Sequence, residues 1–123
     1  KTPILVEPFI SKWVDGKIVN DLSTDATVLS VTIASGLGAS SQYTWLKLPV
    51  VPNMEKVMAS TTLPTLLLGG DPVGDPAETY KLWEDALKLP GVRGLMVGRS
   101  LLYPQDGDVA GAIATAVALV HGK

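Results

Sequence analysis

The stretch TWLKLPVV at residues 44–51 sets a single lysine, Lys47, in an apolar run that is too short for a helix. Runs of this kind, with little alternation of polar residues, are typical of strands buried on both faces of a parallel sheet. A lysine in such a strand is costly to bury, because its ammonium group loses water. The stretch therefore predicts a helix-covered parallel sheet and a candidate site of chemistry within it.

Three other apolar runs share this character, at residues 4–10, 65–68 and 94–97. Helical patterns separate the four runs and follow the last one. They begin at capping residues and cover about 23–36, 53–58, 75–90 and 108–121. Strands that alternate with helices in this way predict right-handed parallel βα units.

Four βα units amount to half of a (β/α)8 barrel, which typically needs about 250 residues. The predicted fold class is therefore α/β, with four parallel strands that correspond to strands 5–8 of such a barrel. We expect residues 1–123 to form one domain, the C-terminal half of a larger protein, because the chain starts abruptly before a strand. The alternatives are two copies that pair across their open edges, and a flavodoxin-like sheet, which needs about five strands.

Two local expectations concern the ends of this pattern. The polar stretch 15–23 predicts a loop without regular structure. In the last helix, Val109, Ile113, Val117 and Val120 lie on one side, and because the helix is Ala-rich and nearly uncharged we expect most of its surface to be packed.

Composition excludes several function classes. The 123 residues carry a net charge of −2, contain no cysteine and are 46% hydrophobic. We therefore expect no nucleic-acid or membrane partner, no disulfides and no thiolate metal site, which fits a cytoplasmic protein. His121 is the only histidine and falls at a helix end, so we expect no His-based triad, no metal and no cofactor.

The alternation of side chains along a barrel strand places Leu46 and Leu48 towards the helices and Lys47 towards the lumen. An amine shielded from water is more readily neutral, and a neutral amine can attack a carbonyl to form an iminium ion. The alternative is a charged lysine that pairs with a carboxylate. Glu7, in LVEPF at 5–9, lies in the equivalent place on the preceding strand. It either relays protons or only compensates the charge of Lys47.

Glycines follow the last two predicted strands. Gly69 and Gly70 come after residues 65–68, and Gly98 and Arg99 come after 94–97. Barrels often bind phosphate in the loops after strands 7 and 8, through backbone N–H groups, and an arginine can add a charged clamp. The alternative is that these glycines only close tight strand ends.

Four motifs follow one another along the chain: LVEPF, WLK, PTLLLGGD (64–71) and GLMVGRS (94–100). They resemble strands five to eight of class I aldolases of the deoxyribose-phosphate aldolase and archaeal-type fructose-bisphosphate aldolase superfamily. The greatest similarity is to an uncharacterised aldolase-like group associated with inositol catabolism. The resemblance implies that Lys47 forms the Schiff base, and that Gly69, Gly70, Gly98 and Arg99 bind the substrate phosphate.

The resemblance implies the activity of a carbon–carbon lyase that acts on a phosphorylated sugar or a keto-deoxy sugar acid. The chain lacks the second lysine that the deoxyribose-phosphate branch carries on strand seven, which argues against simple deoxyribose-phosphate cleavage. Because strands one to four are absent, we expect the isolated chain to be inactive and to need the N-terminal half-barrel or a second copy, in a homo-oligomer. The alternatives are a non-catalytic phosphate-binding or assembly domain and a metal-dependent barrel enzyme.

Overall fold

A computed structural model describes residues 2–70 and 74–122. Within them, strands and helices alternate, with one inserted hairpin. In chain order the elements are β1 (Ile4–Val6), β2 (Ser11–Val14), β3 (Lys17–Asn20), α1 (Thr24–Ser35), β4 (Thr44–Leu48), α2 (Met54–Ala59), β5 (Thr65–Leu68), α3 (Pro76–Leu87), β6 (Val92–Met96), α4 (Arg99–Leu102) and α5 (Val109–His121).

The main sheet has four parallel strands in the order β1-β4-β5-β6. The predicted α/β class, with four parallel strands between helices, is confirmed. The first strand is shorter than the apolar run at 4–10, since it pairs only over Ile4–Val6. Pro8 lies two residues beyond the end of this strand, and a proline has no amide hydrogen to donate to a neighbouring strand.

Helices cover one face of this sheet and form the core with it. Leu46, Leu48 and Leu67 are fully buried there, against helix residues such as Val31 and Val57. The opposite face carries the alternate residues, which pair in register as Leu5 with Trp45, Lys47 with Leu66, and Leu68 with Met96. Trp45 is 36% exposed and Met96 45% exposed. Lys47 therefore lies on the open face, as predicted.

The predicted helix starts follow from side-chain caps. Ser23 accepts a hydrogen bond from the Ala26 N–H at the start of α1, and Asp75 accepts one from the Ala77 N–H at the start of α3. Asn53 precedes α2 as expected, but its side chain makes no capping bond and its φ is +58°. A residue with a short polar side chain tolerates this left-handed conformation. Asn53 therefore suits this helix start because of its backbone conformation and not because of a side-chain cap.

The loop predicted at residues 15–23 was wrong. Strands β2 and β3 form an antiparallel hairpin that turns at Asp15 and Gly16, whose φ angles are +49° and +77°. An Asp-Gly pair between two strands is a strong signal for a two-residue hairpin turn, because both positions need positive φ. The Asp15-Gly16 dipeptide is therefore the sequence signal from which the hairpin could have been predicted.

The expectation that most of the surface of α5 is packed was also wrong. Ala112 and Ala116 are buried, whereas Ile113 is 42% and Val117 53% exposed. Small side chains allow the helix to approach the sheet closely, and apolar spacing alone does not show which stripe is in contact. None of the helices within residues 2–70 and 74–122 is long and apolar enough to cross a membrane.

Candidate active site

Lys47 and Glu7 form an ion pair at the C-terminal end of the sheet. The Lys47 Nζ lies 2.9 Å from Glu7 Oε2, and the two side chains are 22% and 43% exposed. They are 40 residues apart in sequence. The parallel pairing of Val6 with Leu46 brings them side by side. The predicted proximity of the two residues is thus observed.

This pair lends itself to proton transfer. A salt bridge with this much exposure contributes about 0–1 kcal/mol to stability, because solvent screens it. Stability alone is therefore a weak reason for placing Lys47 there. An ammonium group must lose a proton before it can act as a nucleophile, and the Glu7 carboxylate is within hydrogen-bond distance to accept it.

A cleft of about 380 Å³ opens where the strands end. Four of the six predicted site residues line it, namely Glu7, Gly69, Gly70 and Arg99. Lys47 and Gly98 are not among the lining residues, although Lys47 is joined to the cleft by its bond to Glu7. The structure therefore brings Lys47, the Glu7 carboxylate and the turn at Gly69 and Gly70 together at the C-terminal ends of the strands.

The three glycines of the candidate phosphate site differ in why a glycine is there. A Cβ at Gly69 would collide with the Val97 side chain, and Gly70 has a φ of +67°, which L-residues rarely adopt. Gly98 has a negative φ of −123°, and a Cβ there would meet nothing within 4 Å. A steric clash thus accounts for Gly69 and a positive φ for Gly70, whereas Gly98 shows neither of these two features.

Arg99 owes its position to a short helix that the sequence patterns did not reveal. Gly98 precedes α4, and Arg99 is its first residue and lines the cleft. The motif residue Asp71, which follows Gly70, lies outside the described residues.

Several lining residues were not predicted. Phe9, Asn20 and Leu22 come from the segment that contains the hairpin, and Thr79 comes from α3. Since the sequence does not show that the hairpin returns the chain to the sheet edge, Asn20 was read as part of a loop. The described residues contain no group of three or more His, Asp or Glu side chains that could hold a metal ion.

Comparisons with known proteins agree with this architecture. A family model described as Cgl0159-like matches residues 1–117. The crystal structure of Cgl0159 from Corynebacterium glutamicum is 68% identical, with a TM-score of 0.93 over 97% of this chain and 40% of that one. An archaeal fructose 1,6-bisphosphate aldolase is 24% identical, with a TM-score of 0.71 over 98% of this chain and 46% of that one. No curated protein matches the chain.

The chain thus spans less than half the length of either solved structure. The likeness to the archaeal aldolase concerns the fold: the four parallel strands and their helices match part of an aldolase barrel. The resemblance to archaeal-type aldolases is confirmed at that level.

Proposed function

The chain belongs to the Cgl0159-like family, and from this premise we propose that it carries the Schiff-base lysine and the phosphate site of a class I aldolase. The enzyme would cleave a carbon–carbon bond in a phosphorylated sugar or a keto-deoxy sugar acid. The observation that carries the proposal is the pair of Lys47 and Glu7, 2.9 Å apart on the open face of the sheet and joined to a cleft with a glycine turn.

The reaction begins at Lys47. Its neutral amine adds to the substrate ketone, and the adduct loses water to give an iminium ion. Removal of a proton from the β-hydroxyl group then breaks the adjacent carbon–carbon bond, and the electron pair moves into the iminium to form an enamine. The aldehyde leaves, the enamine takes up a proton, and water releases the ketone and regenerates the Lys47 amine. Glu7 is placed to accept the proton that Lys47 must lose first.

The phosphate would bind at the two glycine turns. Backbone N–H groups near Gly69, Gly70 and Gly98 are the uncharged donors, and the Arg99 guanidinium adds a positive charge. Gly98 supports this assignment, because the described residues leave open space where its side chain would be. A doubly charged group could approach the backbone closely there.

The other residues of the active site would come from outside this chain. Exposed apolar side chains lie on both outer strands, with Ile4 59% and Met96 45% exposed. We propose that further βα units of the same protein, or a second copy of the chain, cover these edges and complete the proton-transfer groups. The assembly would be a homo-oligomer in the cytoplasm, and the isolated chain would be inactive.

Borohydride trapping tests the Schiff base. We expect the intact protein, as its gene encodes it, to form a stable adduct at Lys47 when it is treated with borohydride in the presence of dihydroxyacetone phosphate or a related keto phosphate. Peptide mass mapping would place the adduct, which should be absent in Lys47→Ala.

Lys56→Ala is the matched control. Lys56 is also paired with a carboxylate, that of Asp25 at 2.7 Å, but it lies on α2 and is 55% exposed. This variant should give as much adduct as the wild type. If no keto or aldehyde phosphate labels Lys47, the aldolase proposal is wrong.

One observation favours the second candidate, a non-catalytic phosphate-binding or assembly domain. Lys47 is ion-paired with Glu7 and does not itself line the cleft. Such a domain would bind inorganic phosphate and yield no borohydride adduct, so the two experiments together separate the candidates.

A further inference from the structure

Two side chains that follow β6 donate hydrogen bonds to the backbone that follows β5. The Ser100 hydroxyl lies 3.2 Å from the Gly69 carbonyl oxygen and 3.4 Å from that of Gly70. The Gln105 side-chain amide donates to the Gly74 carbonyl oxygen at 2.9 Å. The two glycine-bearing turns are therefore tied to each other at more than one point.

The bond from Ser100 constrains the direction of an amide. In a trans peptide, the carbonyl and the N–H of the next residue point in opposite directions, and the described residues contain no cis peptide. Since the Gly69 carbonyl is directed at Ser100, the Gly70 N–H points away from Ser100. Gly69 is also closely packed against its neighbours, since a Cβ there would collide with Val97 and lie 3.0 Å from the Ser100 hydroxyl.

The turn that Ser100 contacts lines the cleft, although Ser100 itself is not among the lining residues. Gly69 and Gly70 line the 380 Å³ cleft, and Ser100 does not. Ser100 instead lines a smaller cavity of about 30 Å³, together with Gly74 and Gln105, which shares Thr79 and Trp83 with the cleft. Since Gly70 lines the cleft and its N–H points away from Ser100, the cleft is the side from which a ligand could reach this amide.

We propose that Ser100 is a positioning residue, which turns the Gly70 N–H towards the cleft so that it can bind the phosphate group of the substrate. The proposal rests on the phosphate site of the proposed function and adds the residue that orients it. Ser100 itself need not touch the ligand, because it acts through the peptide between Gly69 and Gly70.

Gln105 provides a matched comparison. Its bond ties the same two segments together, but it reaches Gly74 and leaves the peptide between Gly69 and Gly70 untouched. If the bonds served only to hold the segments together, loss of either one would have a similar effect. If Ser100 orients the amide, only its loss would change anion binding.

The test is calorimetric titration of the intact protein with inorganic phosphate. We expect Ser100→Ala to bind phosphate about fivefold to tenfold more weakly, the range for loss of one hydrogen bond. Ser100→Thr keeps the hydroxyl, and Gln105→Ala keeps the Ser100 bonds, so both should stay within about twofold of the wild type.

A second readout separates orientation from folding. Lys47 trapping with dihydroxyacetone, which lacks the phosphate, should be unchanged in Ser100→Ala, whereas trapping with dihydroxyacetone phosphate should require a higher concentration. Equal phosphate affinity in Ser100→Ala and wild type, equal weakening in Gln105→Ala, or no phosphate binding by the wild type would each overturn the inference. Phosphate binding that depends on Ser100 without any Lys47 adduct would leave it standing and refute only the aldolase chemistry.

Discussion

At the scale of single residues, Lys47 was the most informative position in the sequence. A charged side chain inside a short apolar strand is costly unless something compensates it, so its presence pointed to both a partner and a function. Glu7 is that partner, at 2.9 Å.

The glycines give a residue-scale prediction that separates structure from binding. Gly98→Ala should leave the free energy of unfolding within about 0.5 kcal/mol of the wild type, because its side chain would meet open space. Phosphate affinity should fall clearly, since a methyl group would occupy the approach to the backbone. Chemical denaturation and calorimetry measure the two quantities.

Gly69→Ala is the contrasting variant. Its Cβ would displace Val97, so the free energy of unfolding should fall by about 1–3 kcal/mol, as in overpacked cores. A Gly98→Ala variant that binds phosphate as tightly as the wild type would remove Gly98 from the proposed site.

At the scale of elements, most helices and strands could be predicted because their signals are local. Helix caps such as Ser23 and Asp75 and short apolar runs act on a few neighbouring residues. The buried face of α5, by contrast, could not be predicted from such local signals. Nearly every residue of that helix is apolar, so only the position of the sheet decides which stripe is covered.

A substitution in α5 tests the observed orientation. Ala112→Leu should lower the free energy of unfolding by about 1–3 kcal/mol, because Ala112 is 5% exposed and has no room for a larger side chain. Ala114→Leu on the exposed side should change it by less than about 0.5 kcal/mol. Similar effects of both variants in thermal or chemical unfolding would contradict this orientation.

At the scale of the whole molecule, the four-stranded sheet has a covered face and an open one. Exposed apolar side chains accumulate on the outer strands and on α1 and α5, where Ile33 and Val117 are each 53% exposed. Large exposed apolar patches mark places where other protein packs. The proposal that further βα units complete a barrel would account for these side chains, because a barrel covers both edges and encloses the open face.

The isolated chain should therefore fold locally without activity. We expect residues 1–123 alone to show α/β circular dichroism but no Lys47 adduct under conditions in which the intact protein is labelled. The reason is that Lys47 remains open to water on a face that a barrel would enclose. Labelling of the isolated chain at the rate of the intact protein would show that this chain is sufficient for Schiff-base formation.

The sequence by itself determined the fold class, the four strands, the helix caps and the identity of the candidate lysine. These depend on periodicity, on capping side chains and on the cost of burying a charge, all of which are readable from neighbouring residues. Only the tertiary structure decided that the predicted pair of Lys47 and Glu7 is in contact, which bonds Ser100 makes to the glycine turn and which stripe of α5 is buried. The first two features join residues about 30 to 40 positions apart, and the third depends on where the helix packs against the sheet. Local sequence patterns do not report contacts between residues so far apart along the chain.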